Sequence, residues 1–488
     1  MRTFEWLLLA LVAARILAVL LRGEAGAVWR GLIAVGAGGA LVAHLALEGP
    51  RWSMAPAYLA VALAVLLLPW ERPHPKAVLL RSGRNRRRRR PVPWGRALLA
   101  ALLWVPVAAL PVLLPVPVLP APTGSWAVGS LSFPLALAGV VRPDGTAGTG
   151  RRTMARVWYP VDPALELPHD APWLERADVV MRELGGSHGV PGFVFSHLTL
   201  VRSHAAWRAP LAPPPEGGWP VATFAHGLGG FRSQNTFLNE ELASHGFVVV
   251  ALDHPGDALA TTLPDGTTLP YVGLPRTTAP GYVEAVVGMG ARWTGDTLAL
   301  LGTLEALLPL GDLAAFAGTL DLERVVTIGH STGGAVAVEA CHAWAGCRAV
   351  LALDPWWGPV DPARLEAGSD RPLVIVESDP ELGYFAPTNA DRRARFLVAS
   401  EAPTLTLVLE GAAHHDLNDT VLVSPVAGRF GYSVGPVDKG AAMAATRELA
   451  LAVLGASAVG AEPDELVAAA AAAVTEPLRL ADEVTPLP

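Results

Sequence analysis

The stretch VVTIGHSTGGAVAVEA, residues 325–340, constrains this chain more than any other. A β-branched apolar run ends at Ile328. Gly329-His330-Ser331-Thr332-Gly333 follows, and a helical Ala/Val segment begins at once. A G-x-S-x-G pentapeptide between a buried strand and a helix makes a sharp turn that lifts the serine hydroxyl out at the strand's carboxyl end. Glycines on either side remove Cβ clashes in that turn. The helix N-terminus behind the serine favours developing negative charge. Ser331 is therefore the expected nucleophile.

The surrounding pattern fits this placement. Short apolar runs at 155–159, 221–225, 248–252, 325–328, 349–353, 373–376 and 404–409 read as strands, several of them continuous enough to be buried on both faces. Segments 237–245, 294–308 and 334–345 between them read as helices. Strand–helix alternation of this kind predicts a doubly wound, mostly parallel sheet flanked by helices, the α/β-hydrolase fold, over residues 124–455. Residues 456–488 are Ala-rich and are expected to be a loose tail with one peripheral helix.

A serine hydroxyl needs a base, and the base needs a carboxylate to orient it. In this fold the order along the chain is Ser, acid, His. His342 falls on the helix after Ser331 and reads as a surface or satisfied residue. His414 and His415, in LEGAAHHD, follow the last strand; the position in a Gly/Ala loop favours His414. Two carboxylates compete as the acid. Asp354 follows the run 349–353, and Asp379 follows 373–376, the more usual acid position. Both stand at carboxyl ends of strands, where such sheets build their sites. The oxyanion hole is expected from the backbone N–H groups of Thr332 and of Leu228, in His226-Gly227-Leu228-Gly229-Gly230 after the run 221–225. Trp356 and Trp357 line a pocket or fill the core, with nothing in the sequence to choose. Asp253, His254 and Asp257 read as structural. No zinc spacing is present, and the residue set implies neither metal nor cofactor. Cys341 and Cys347 would lie about 9 Å apart on one unbroken helix, too far to bridge. If the helix ends near Gly346 they can pair, so both readings stay open.

The N-terminal quarter has another character. Residues 1–123 hold 15 of the 37 Lys+Arg and 4 of the 44 Asp+Glu, a net +11; the remainder holds 22 against 40, a net −18. Apolar runs at 4–21, 31–47, 54–70 and 97–114 approach bilayer-spanning length, which predicts an all-α transmembrane region of about four helices over 1–114. A Pro-rich linker covers 115–123. Arg86 to Arg90 form a consecutive cluster between the third and fourth runs. Positive loops stay cytoplasmic, so the fourth run would place everything after residue 123 on the extracytoplasmic side. The acidic hydrolase region argues against a nucleic-acid partner.

Taken together, FAHGLGGFRSQNTFLNEELASHGFVVVALDHPGD, TIGHSTGG, ALDPWW and GAAHHDLND resemble the platelet-activating factor acetylhydrolases of the plasma and type II intracellular kind. The matching segments span roughly residues 155–420. The resemblance implies hydrolysis of short or oxidised acyl esters of phospholipids, without calcium. It maps the acid onto Asp354 in the L-D-x-W element. The base maps onto His414, followed five residues later by Asp419, and the oxyanion donors onto Leu228 and Thr332. The chain departs from the family in its multi-span N-terminus, and in Thr332, where a bulky aromatic is common.

The sequence thus predicts a membrane-anchored carboxylic ester hydrolase working through an acyl-enzyme, on a lipid or other small ester. A polyester or cutinase-like esterase, an acyltransferase and a non-catalytic membrane sensor with a hydrolase-like domain are the alternatives.

Overall fold

A computed structural model describes residues 2–18, 24–66, 94–137, 150–306 and 311–481. The chain divides into two compact units. The first is Met1–Pro117 with His188–Leu200 and Val423–Pro425; the second is Val118–Ser187, Val201–Leu422 and Val426–Pro488.

The first unit contains helices Thr3–Ala18, Glu24–Ala43, Ala55–Leu66 and Trp94–Leu113. The second of these runs on through a π turn, His44–Glu48. Leu8, Leu9, Val12, Ala37, Met54, Ala57 and Val61 pack inside. Trp29, Val35, Val42, Leu47, Leu59 and Leu66 face outward, each more than half exposed. These helices thus carry large apolar side chains on their outer faces as well as inside. The charges gather around Glu5, which pairs with Arg2 at 2.8 Å and with Arg51 at 2.7 Å. His44 bonds Tyr58 at 2.7 Å and Glu48 at 2.9 Å.

Two helices among the described residues are long and apolar enough to cross a membrane, Val28–Glu48 and Lys439–Ala458. Of the first's apolar window 22% is buried, against 56% of the second, which is a core helix of the other unit. So one of the four expected spans meets that test. Arg86 to Arg90 and the ends of the first and third runs lie outside the described residues.

The second unit is built on ten strands of one sheet. They are β1 (Ala127–Leu137), β2 (Arg151–Val161), β3 (Ala206–Trp207), β4 (Trp219–Ala225), β5 (Val248–Leu252), β8 (Leu320–His330), β9 (Cys347–Leu353), β10 (Leu373–Ser378), β11 (Thr404–Leu409) and β12 (Leu478–Leu480). A separate hairpin joins β6 (Ala260–Thr262) to β7 (Thr268–Pro270). The sheet order is β12-β11-β10-β9-β8-β4-β5-β2-β1-β3. Strands β5, β4, β8, β9, β10 and β11 are mutually parallel, and β1–β2, β2–β5 and β11–β12 pair antiparallel. All seven expected strands are present. β1 is not marked in the sequence because Ser130, Ser132 and Pro134 interrupt its apolar run. Chain order reverses between β4 and β8, which makes their carboxyl ends a topological switch point, where ligands of open α/β sheets bind.

Two boundaries differ from expectation. The Pro-rich stretch is no free linker in its second half: Arg447 holds the carbonyls of Pro120 and Ala121 at 2.8 and 2.9 Å, and Leu119 is buried. Residues 456–481 are no loose tail. The helix Lys439–Ala458 crosses the expected border, Leu466 and Ala470 of helix Pro463–Ala472 sit in the main core, and β12 closes the sheet edge. Low complexity hid this, because alanines bury on packing as well as they face water. Residues 482–488 lie outside the described residues.

Candidate active site

Ser331 stands between β8 and the helix Thr332–Ala343, with φ 59° and ψ −122°. A non-glycine residue there is strained and persists only when its surroundings over-determine it. They do. A Cβ on Gly329 would sit 1.9 Å from the Gly333 carbonyl oxygen, and one on Gly333 would sit 2.0 Å from that of Ala225. Both flanking glycines are thus required by close backbone approach. The Ser331 N–H donates to the Leu353 carbonyl at 2.9 Å, which ties the turn to the end of β9.

Asp354 is the next residue along β9, also at positive φ (40°). Its Oδ2 lies 2.6 Å from His414 Nδ1, and its Oδ1 accepts from the Ser378 N–H at 2.9 Å and hydroxyl at 3.0 Å. Burial pushes this carboxyl up, but the His414 hydrogen bond and charge, helped by the Ser378 amide, hold it below the ordinary range. The arrangement puts the His414 proton on Nδ1 and leaves Nε2 as an acceptor. Asp379 does not reach His414. It caps its own turn, accepting from Glu381 N–H at 3.0 Å and Gly411 N–H at 2.8 Å. His415 packs against Tyr432, with ring centroids 4.4 Å apart, and its amide bonds Ser433. Asp419 sits at the N-terminus of helix Thr236–Ser244, accepting from Thr236 and Phe237 N–H and from Trp173 Nε1. His342 pairs with Asp370 at the surface.

The loop after β4 lies against Ser331: a Cβ on Gly227 would come within 3.2 Å of the Ser331 Cβ. Among the described residues neither the Leu228 nor the Thr332 N–H has an acceptor. Trp356 groups with Leu228, Leu274, Met289 and Trp293 beside the serine, and its N–H bonds the Ser331 carbonyl at 2.9 Å. Trp357, left open between pocket and core by the sequence, takes the core position. It is fully buried with Phe396 in the core behind β9. Asp253 pairs with Arg232, Asp257 accepts from Trp293 Nε1, and His254 stacks on the same Trp293 at 4.0 Å. These contacts are structural. The His and carboxylate ligand atoms that converge among the described residues, within 4.8 Å, are those of Glu5, His44 and Glu48 in the first unit. Arg2, Arg51 and Tyr58 already engage them.

The family described as platelet-activating factor acetylhydrolase, isoform II, matches residues 116–265 and 304–462. The chain belongs to that family. As a member, it is a carboxylic ester hydrolase. Platelet-activating factor acetylhydrolases of Cavia porcellus and Bos taurus are each 26% identical to it, over 63% of this chain and 72% of theirs. A putative phospholipase A2 of Schizosaccharomyces pombe is 31% identical over 35% of this chain and 41% of its own. A ferulic acid esterase from Streptomyces cinnamoneus shares the fold, with a TM-score of 0.53 at 23% identity over 69% of this chain and 92% of that one. The family match skips residues 266–303, which carry Leu274, Met289 and Trp293 of the cluster beside Leu228.

Tyr384 was not legible in the sequence. Its ring stacks flat on His414, with centroids 4.0 Å apart and planes within 4°, and Phe385 meets the same imidazole edge-on at 5.0 Å. Nothing in GYFAP marks it; only the return of the 379–387 loop over the sheet brings it there. Tyr384→Ala is expected to slow ester turnover about fivefold, the value of roughly 1 kcal/mol of ring contact, while Tyr384→Phe keeps the stack and the rate. Steady-state rates on an activated ester check this.

The site is also packed with buried, neutral imidazoles. Burial lowers His226 to about 4, and holds His254 and His330 well below their usual range. In the unfolded chain each takes up a proton near pH 6.5; in the folded one none does until far lower. More protons bound by the unfolded state means stability is full above pH 6.5 and falls as pH drops towards 4. For His226 alone the loss is roughly 3 kcal/mol. Asp419, raised by burial to about 8, and Asp296, raised to about 6, act with the opposite sign over this window. The histidine contribution is therefore read by difference: thermal melts between pH 7 and 4.5 are expected to fall less in His226→Gln than in the wild type.

Proposed function

We propose that this chain is a membrane-anchored serine esterase that cleaves lipid or short-acyl esters through an acyl-enzyme, with Ser331 as nucleophile, His414 as base and Asp354 as its orienting acid. The observation that carries it is the 2.6 Å Asp354–His414 bond, made beside a serine held at positive φ. His414 Nε2 takes the Ser331 Oγ proton as Oγ bonds to the ester carbonyl carbon. The carbonyl electrons move onto oxygen, and the Leu228 and Thr332 N–H groups stabilise that oxyanion. Its collapse breaks the ester C–O bond, and the same proton passes from His414 to the leaving alcohol. Water then loses a proton to His414 Nε2 as its oxygen bonds to the acyl carbon, the acyl C–Oγ bond breaks to release the acid, and the proton returns from His414 to Ser331 Oγ.

The acetyl and phospholipid chemistry in the relatives' names favours glycerophospholipids with a short sn-2 acyl chain. Membrane anchoring is supported by the apolar exterior of the first unit. A hydrolase on the extracytoplasmic side is supported by the Arg86–Arg90 charge asymmetry and by the Cys341–Cys347 disulfide, a bond favoured in oxidising compartments.

The test uses the full-length protein in lipid vesicles, offered phosphatidylcholines with acetyl or palmitoyl at sn-2. Faster release of acetate than of palmitate is expected; the reverse order would refute the short-acyl assignment. Resistance of the chain to alkaline carbonate extraction checks the anchor, and full extraction would rule it out.

A further inference from the structure

A hydrogen-bond chain crosses the site beneath Ser331, and no step of the mechanism above uses it. The Gly227 N–H donates to Gln234 Oε1 at 3.0 Å. Gln234 Nε2 lies 2.9 Å from His330 Nδ1, and His330 Nε2 lies 2.9 Å from the His414 carbonyl oxygen. Chemistry fixes the direction throughout. An amide N–H can only donate, so the Gln234 oxygen faces Gly227 and its NH2 faces His330. His330 Nδ1 must then accept, which leaves the proton on Nε2, pointed at a carbonyl that can only accept. Each donor meets one acceptor, and Gln234 and His330 are both buried.

We infer that Gln234 and His330 are positioning residues that lock the Leu228 oxyanion loop to the backbone of the base, His414, so that both hold their places as charge develops at Ser331. The relay rests on the assignment of Ser331, His414 and Leu228 above. Its two ends explain its use. Gly227 immediately precedes the Leu228 donor, and the His414 carbonyl belongs to the base itself. Gln234 is also tied to the segment that follows the base, because its own carbonyl accepts from the Asp419 N–H at 3.0 Å. Gly230 is part of the fit, since a Cβ there would lie 2.1 Å from Gln234 Oε1. Burial keeps His330 neutral, which the relay needs, because a protonated Nδ1 would face the Gln234 NH2 donor to donor.

Preorganised donors matter more in the transition state than in the bound substrate, so a loosened relay lowers kcat and spares KM. A small misplacement of this kind costs about 100-fold. The experiment measures kcat and KM of the full-length protein on an activated short-chain ester, per site labelled to completion by a fluorophosphonate. That normalisation removes unfolded protein from the rates. Gln234→Leu and His330→Leu are each expected to lower kcat about 100-fold with KM within about threefold. The double variant should be no slower than either single by more than about threefold, because one broken link already breaks the chain. His330→Gln, which can still accept from Gln234 and donate to His414, should recover most of the rate. Multiplying losses in the double variant, or no loss in the singles, would overturn the relay while leaving the Ser331 assignment intact. Absence of labelling at Ser331 in the wild type would remove both.

Discussion

Ser331→Ala is expected to abolish fluorophosphonate labelling of the full-length protein and to lower ester turnover by about five to six orders of magnitude. No other described residue has its combination of features: a hydroxyl at the switch point of the sheet, a positive φ, and a helix N-terminus behind it. A residual rate above the uncatalysed one should persist, because the Leu228 and Thr332 N–H groups and the binding surface survive the change. The measurement is labelling with burst kinetics on an activated ester. Full labelling of Ser331→Ala would show that another residue is the nucleophile and would end the triad proposal.

Asp354→Asn is the second large effect, a loss in kcat of about 10⁴-fold. The carboxylate now accepts the His414 Nδ1 proton. An amide turned to satisfy Ser378 would present NH2 to Nδ1, favouring the tautomer with its proton on Nε2, which cannot take a proton from serine. Asp379→Asn provides the contrast. Asp379 serves Glu381 and Gly411 at its own turn, and asparagine keeps an acceptor there. Its kcat is expected to stay within about threefold of the wild type, in keeping with a local turn contact. The opposite ranking would transfer the orienting role to the loop after β10.

The elements that place the site could be read directly. The runs 325–328 of β8 and 349–353 of β9 are apolar because parallel strands are buried on both faces, and G-H-S-T-G announces its turn because Gly329 is demanded locally, by the Gly333 carbonyl, although Gly333 answers to the Ala225 carbonyl on β4. His414 was legible for the same reason, in a Gly/Ala loop just past the last parallel strand. Residues that act through partners distant in sequence were less visible. Tyr384 meets His414 across 30 positions, and Gln234 meets His330 across 96. No periodicity or spacing encodes such meetings. Trp356 and Trp357 are adjacent in sequence, yet one lies beside Ser331 and the other in the core, because neighbours at a strand end point to different sides.

Asp354 and Asp379 mark the division most clearly. Chain order, strand-end position and residue type qualify both, and only the family resemblance chose between them. In the folded protein Asp354 is aimed at His414 while Ser378, from the adjacent strand, satisfies its other oxygen; Asp379 turns back to cap its own loop. The cysteines divide the same way. Their six-residue separation allowed a bridge or two free thiols, and the end of the helix at Ala343 brought the Cα atoms to 5.1 Å, within bonding reach. The sequence by itself determined the seven central strands, the turn at Ser331 and the two glycine-lined loops beside it, because residue type and burial periodicity mark these along the chain. Tertiary structure decided which carboxylate meets the imidazole, which tryptophan lines the site and whether the thiols pair, because each depends on side-chain direction set by neighbours that the chain brings in from far away.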